Sequence, residues 1–233
     1  VELTTSQRVG FHKYTFPENE IAQIVLDLEH RDRLLDYKIE LVDSNTLQGI
    51  RYSDNWAREQ KVHFYMQFSE QVQNITFNEK QSVAGISFGK LEEPLLVKVG
   101  ISAVSTNGAK VNLQAEIPHW DFEKTKAETT DLWEKELSKI IVEGKSETQK
   151  EIFYTALYHS LLNPNLYMDV DGHYNGTDLE KHHTDDKHYT IFSLWDTFRA
   201  THPLFTLIQQ KRTNEFIRTF LRQYKDGGQL PIW

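Results

Sequence analysis

The hydrophobic period of this chain changes once, near Pro118, and that change limits the fold more than any other feature. Upstream of it apolar side chains alternate. Val62, Phe64, Met66 and Phe68 interleave with His63, Tyr65 and Gln67, and Leu95, Val97, Val99 and Ile101 repeat the pattern. Val111, Leu113, Ala115 and Ile117 do the same against Asn112, Gln114 and Glu116. A period of two gives each strand one buried and one wet face. Residues 21–28, 37–42 and 83–88 are further strand candidates, and the breaks carry the turn residues Ser53-Asp54-Asn55, Glu93-Pro94 and Asn107-Gly108. No helical crossover separates these strands, so the expected fold of 1–118 is an antiparallel β-sandwich.

Downstream the period becomes helical. Phe122, Thr125, Thr129, Leu132, Trp133, Leu137, Ile140 and Ile141 fit one helix face. A second helix opens on a Ser146–Gln149 capping box and stops at Pro164, with Ile152, Phe153, Ala156, Leu157, Ser160 and Leu161 on its apolar side. A third spans 194–209 and should kink at Pro203. A fourth, from Thr213, carries Phe216, Ile217, Phe220, Leu221 and Tyr224 and ends at Gly227-Gly228. With no strands between them, these helices should pack on one another. The connection 165–193 lacks clear periodicity, which marks a functional or mobile loop.

Composition removes several functions. Thirty-four acidic against 26 basic residues leave a net charge of −8, the wrong sign for a nucleic-acid footprint. The absence of Cys excludes thiol catalysis and Cys-based zinc sites. No apolar run reaches the ~20 residues of a membrane-spanning helix. The chain opens on Val1 without a basic-then-apolar leader, which reads as a start partway through a longer product.

Among candidate sites, Asp169-Val-Asp171-Gly172 resembles the opening of a calcium loop, but its Gly is at position four and an EF-hand needs it at six. A tight turn at Asp171-Gly172 is the favoured reading. The run from His182 to His188 is rich in imidazole and carboxylate, yet it puts no His pair at helical spacing, so a solvated loop is favoured over a metal site. Trp195-Asp196 is more pointed. An indole face packs against sugar C–H groups while an adjacent carboxylate accepts two hydroxyls. The competing reading makes Trp195 core and Asp196 a helix-terminus acid. Gly227-Gly-Gln-Leu-Pro-Ile-Trp233 is a helix stop followed by an extended aromatic end.

Taken in order, Arg8-Val-Gly-Phe-His-Lys-Tyr-Thr-Phe-Pro17, Ile50-Arg-Tyr-Ser53, Val97-Lys-Val-Gly-Ile-Ser102, Ala115-Glu-Ile-Pro-His-Trp-Asp121, Phe153-Tyr-Thr-Ala-Leu-Tyr-His-Ser160, Asn163-Pro-Asn165, Asp169-Val-Asp-Gly172, Phe192-Ser-Leu-Trp-Asp-Thr-Phe-Arg199 and Leu230-Pro-Ile-Trp233 resemble glycoside hydrolase family 92 along nearly the whole chain. The resemblance implies an exo-acting, inverting, calcium-dependent α-mannosidase, secreted or periplasmic, acting on α-mannose-containing glycans. It also implies a β-sandwich over 1–118, a helical linker over 119–145 and the first part of an (α/α)6 barrel over 146–233. Trp195, Asp196, Arg199 and Trp233 match stretches that contact sugar, and the resemblance places the acid, the base and the calcium ligands beyond Trp233. The competing class is a non-catalytic carbohydrate-binding or domain-packing module, because sandwiches serve widely in that way.

Overall fold

The structure, a computed structural model, describes residues 1–57 and 59–232. The chain divides into two compact units, Val1–Thr129 with Asp169–Asp171, and Thr130–Met168 with Gly172–Trp233.

Among the described residues the first unit holds nine antiparallel strands: β1 Glu2–Thr5, β2 Val9–Tyr14, β3 Ala22–Asp27, β4 Arg33–Asp43, β5 Thr46–Asp54, β6 Gln60–Phe68, β7 Asn74–Phe77, β8 Val83–Gly89 and β9 Leu95–Ser102. Six form one sheet in the order β1-β2-β9-β6-β5-β4, and three form a second in the order β3-β8-β7. Their facing sides share one core, in which Leu47, Phe64, Met66, Phe68 and Val97 of the larger sheet meet Ala22, Ala84, Ile86 and Phe88 of the smaller. Phe68 and Phe88 close edge-to-face with ring centroids 5.0 Å apart. The sandwich read from the alternation is therefore present.

The outer face of the larger sheet is not wet at its centre, around β2, β9 and β6, which corrects the one-face expectation there. Helix α1, Thr106–Glu116, covers it. Ala109, Leu113 and Ile117 of this segment bury against Val9, Phe11 and Tyr65, so His63 to Met66 of β6 are buried on both sides. Two expectations fail together here. Residues 111–117 form no strand, and Asn107-Gly108 is the first turn of a helix, not a hairpin turn. Seven residues of mixed polarity satisfy either period, and spacing by four at Ala109, Leu113 and Ile117 wins once a sheet lies beneath it. Ser105 caps α1, its hydroxyl accepting from Gly108 N at 3.0 Å. Gly100 on β9 lets the helix approach, since a Cβ there would lie 2.4 Å from the Ala109 carbonyl oxygen.

Helix α2, Phe122–Leu137, crosses the division between the units. The second unit continues with α3 Glu147–Leu161, whose cap is the expected one, Ser146 Oγ accepting from Gln149 N at 3.3 Å. Next come β10 Asn165–Leu166, β11 His173–Asn175, β12 Lys181–His183, β13 Tyr189–Thr190, α4 Leu194–Thr197, α5 Thr201–Ile208 and α6 Gln210–Gly227. Leu157, Leu161, Tyr189, Phe192, Phe205 and Phe216 form its core.

Connection 165–193 is not structureless. β10 pairs with β13 and, inside that ladder, β11 pairs with β12, giving two nested antiparallel pairs. The expected kink at Pro203 becomes a clean break at residues 198–200. Pro203 then stands in the first turn of α5, where its missing N–H costs no hydrogen bond. Gly228 ends α6 in the left-handed region at φ 75°, its N–H reaching the Tyr224 carbonyl at 2.8 Å. Along α6 the buried side chains are Glu215, Phe216, Thr219 and Gln223. Ile217, Leu221 and Tyr224 stay exposed, as do Ile152 of α3 and Leu207 of α5.

Candidate functional site

The exposed Trp195-Asp196 pair is carried by a strained turn. Phe192 is fully buried, with its ring edge-to-face on Phe216 and Phe220 at 5.5 and 4.5 Å. The residues on either side, Ile191 and Ser193, sit at φ 60° and 44°. A β-branched residue in that region is a steric outlier, held only because its neighbours over-determine it. The Thr197 hydroxyl ties the turn down, bonding the Phe192 and Ser193 carbonyls at 3.0 and 3.1 Å. Buried Phe192 thus acts as the anchor, and the following helical turn is lifted to the surface.

On that turn Trp195 is 60% exposed and Asp196 is exposed, so the indole is not core. Trp195 Nε1 donates to Ser193 Oγ at 3.0 Å, and Ser193 Oγ donates to Asp196 Oδ2 at 2.5 Å. Arg199 makes no ion pair with Asp196 among the described residues, and its guanidinium lies 5.3 Å over the Phe198 ring. Trp233 lies outside the described residues. Its neighbour Ile232 accepts from Leu194 N at 3.0 Å, which brings the Leu230–Ile232 stretch to the start of α4. Two residues 38 positions apart in the sequence therefore meet. Sequence reading singles out Trp195 and Asp196 but not Ser193. The available signal is the Ser193-Leu-Trp-Asp196 spacing, that of a helix-start box. At φ 44° the Ser193 side chain caps no backbone N–H and turns to the carboxylate instead.

The histidines of 173–188 fold against α6. His188 is buried, stacks on Tyr174 at 3.9 Å, and presents Nδ1 to Arg222 Nε at 3.3 Å. His182 Nε2 lies 2.9 Å from Asp178 Oδ2, and the Tyr174 hydroxyl donates to Asp226 Oδ2 at 3.0 Å. Burial, helped by the Arg222 and His182 charges, pushes the His188 imidazole down to about 3. Burial and Asp226 push the Tyr174 phenol up to about 12. An unfolded imidazole titrates near 6.5. The unfolded chain therefore takes the His188 proton first, and the stability held by neutral His188 is complete above that pH. It drains as pH falls toward 3, by on the order of 2 kcal/mol between pH 7 and 5. Urea unfolding at both pH values should show wild type losing about that much more than His188→Gln; equal losses would contradict it.

Asp169 belongs to the first unit. Its carboxylate accepts from Ser102 Oγ at 2.7 Å and Asn112 Nδ2 at 2.8 Å, and Val170 N donates to Asn112 Oδ1 at 2.8 Å. Burial raises its pKa against the pull of those two hydrogen bonds. The chain turns at Val170–Asp171, and Gly172 follows at φ 87°, which agrees with the tight-turn reading. Calcium takes six to eight oxygen ligands. Among the described residues no group of three or more His, Asp or Glu could hold a metal, and both Asp169 oxygens are already bonded. The described residues do not fit a calcium site. No described helix is long and apolar enough to cross a membrane.

The family model for the glycosyl hydrolase family 92 N-terminal domain matches residues 1–102, and the one for its catalytic domain matches residues 108–233. The chain belongs to glycoside hydrolase family 92. Among solved structures it is similar to a family 92 α-mannosidase from Bacteroides thetaiotaomicron, at 32% identity and a TM-score of 0.92, over 99% of this chain and 35% of that one. The same enzyme in complex with mannoimidazole gives 32% identity and 0.92 over 99% and 34%. A family 92 inverting mannosidase from Bacteroides thetaiotaomicron VPI-5482 gives 25% identity and 0.89 over 99% and 34%. The chain spans about a third of the length of these structures. No curated protein matches it.

Proposed function

We propose that this chain is part of an exo-acting, inverting, calcium-dependent α-mannosidase that removes terminal α-mannose from glycans, in a secreted or periplasmic setting. The observation that carries the reading is the end-to-end family match, reinforced by the likeness to two mannosidases over 99% of the chain. In this reading 1–118 is the sandwich, 119–145 the linker and 146–233 the opening of an (α/α)6 barrel. Trp195 offers a flat apolar face to the sugar C–H groups and Asp196 accepts two of its hydroxyls, with Arg199 and Trp233 as further contacts. An inverting hydrolase needs an acid to protonate the leaving oxygen and a base to activate water, on carboxyls about 6.5–9.5 Å apart. None of the carboxylates in 1–233 is given either role. Acid, base and calcium ligands are assigned outside this chain.

The test is mannose release from α-1,2-, α-1,3-, α-1,4- and α-1,6-mannobiose by the full-length polypeptide, stripped with a chelator and then resupplied with calcium. Release that stops with the chelator and returns with calcium is the expected result. Release indifferent to the chelator removes the calcium requirement. Silence on every linkage, with retained binding to mannosides, moves the binding-module reading ahead.

A further inference from the structure

The turn that presents Asp196 is closed by the hydroxyl of Thr197. This group carries a single proton, and its Oγ1 lies 3.0 Å from the Phe192 carbonyl oxygen and 3.1 Å from that of Ser193. The Ser193 contact is an ordinary back-bond to the fourth residue before, of the kind Thr makes in many helices. Ser193 O is already served by two backbone donors, Asp196 N at 2.9 Å and Thr197 N at 3.0 Å. The Phe192 contact is different. It reaches five residues back, out of α4 and across the bend, to a residue that is 1% exposed. Among the described residues no other donor meets the Phe192 carbonyl. A carbonyl that far from water has to be paired inside the protein, and Thr197 pairs it.

The bend spanned by this bond is strained on both sides of Phe192, with Ile191 at φ 60° and Ser193 at φ 44°. Left-handed backbone at such residues persists only where the surroundings over-determine it. The Phe192 ring, wedged edge-to-face against Phe216 and Phe220, fixes one end of the bend. The Thr197 hydroxyl fixes the other. With that bond cut, Ser193 can relax toward an ordinary backbone angle, and the short helical turn after it swings. Asp196 lies inside the loop that the bond closes, one residue before Thr197, so its carboxylate moves with the turn.

We propose that Thr197 is a positioning residue of the sugar site, its hydroxyl holding the strained bend at Phe192 so that Asp196 meets the sugar hydroxyls. The proposal rests on the sugar-contact reading of Asp196, and its test tells the two apart. Thr197→Val keeps the shape and loses the hydroxyl, while Thr197→Ser keeps the hydroxyl and loses a methyl. On a mannobiose, kcat/KM of the full-length enzyme should fall about tenfold for Thr197→Val, the size of one lost hydrogen bond, and stay within about twofold for Thr197→Ser. Thr197→Val should also melt at a lower temperature, because the Phe192 carbonyl is left unpaired. The decisive readout is the Asp196→Ala background. There Thr197→Val should cost less than a further twofold in kcat/KM while lowering the melting temperature by the same amount as before, because the group it positions is gone. A tenfold cost in both backgrounds would make Thr197 a structural residue and overturn the proposal. So would an unimpaired Thr197→Val beside an impaired Asp196→Ala, or a Thr197→Ser enzyme as weak as Thr197→Val. If Asp196→Ala is itself unimpaired, the sugar-contact reading falls and takes the role of Thr197 with it. Should Thr197→Val fail to fold, Thr197→Cys retains a weaker donor, and about a fivefold loss that vanishes in the Asp196→Ala background is then expected. Persistence of that loss in the Asp196→Ala background, or its absence from the Thr197→Cys enzyme, would overturn the proposal equally.

Discussion

Replacing Asp196 by Ala in the full-length enzyme is expected to lower kcat/KM for α-mannosides by about 100-fold. Asp196 is exposed, joined to Ser193, and next to an indole that is itself open to solvent. Nothing in that geometry suggests a stability role, so the unfolding midpoint should hardly move. Once a sugar covers the pair, two hydroxyls lose water and depend on this carboxylate, and charge-assisted bonds are about twice as strong as neutral ones. A hundredfold loss is about 2.7 kcal/mol, the size of a buried polar contact that strengthens in the transition state. Asp196→Asn should fall between, since its amide keeps one acceptor but turns a donor toward the sugar or toward Ser193. A value of kcat/KM within a factor of three of wild type for Asp196→Ala would end the assignment.

Gly108→Ala is expected to destabilise the β unit by about 3 kcal/mol. A Cβ at this position would lie 2.1 Å from Asp169 Oδ2 and 2.8 Å from Ser102 Oγ. Neither neighbour is a flexible side-chain end, because the Asp169 carboxylate is held by Ser102 and Asn112. The new carbon must therefore push the carboxylate off its donors. Overpacking alone costs roughly 1–3 kcal/mol, and a buried charged group deprived of its partners adds a comparable amount. Helix propensity works in the opposite direction by about 1 kcal/mol, since Ala is the better helix former. Urea denaturation decides the matter. A stabilised Gly108→Ala would mean that Asp169 is not seated as described.

The parts of the fold that could be read from sequence are those in which one face of one element determines the pattern. Strand β8 follows its alternation, β6 and β9 form where the period of two puts them although α1 buries part of their outer sides, and α3 begins at the Ser146 box and ends before Pro164. Helix α1 is misread because its apolar spacing is set by contact with a sheet that closes only in three dimensions. The nested ladders of 165–193 are missed because each is two or three residues long, too short for a period. At the candidate site, Trp195 and Asp196 are legible as residue types, and the family resemblance supplies their context. The Ser193 link is not legible, because it depends on a backbone angle that local sequence disfavours. The same holds for Asp169, whose neighbours in sequence suggest a cation loop and whose neighbours in space are Ser102 and Asn112.

That seat for Asp169 makes the first unit discontinuous, since residues 169–171 join it only after 39 intervening residues, 130–168. During synthesis the chain emerges from its N-terminus, and contiguous domains can close as they appear. This one cannot. The β unit must wait for residue 169 before the Asp169 carboxylate can meet Ser102 and Asn112. A boundary drawn at any point between 129 and 171 for recombinant expression would cut off the last piece of its core, so the shortest fragment with a complete β unit must extend past Asp171.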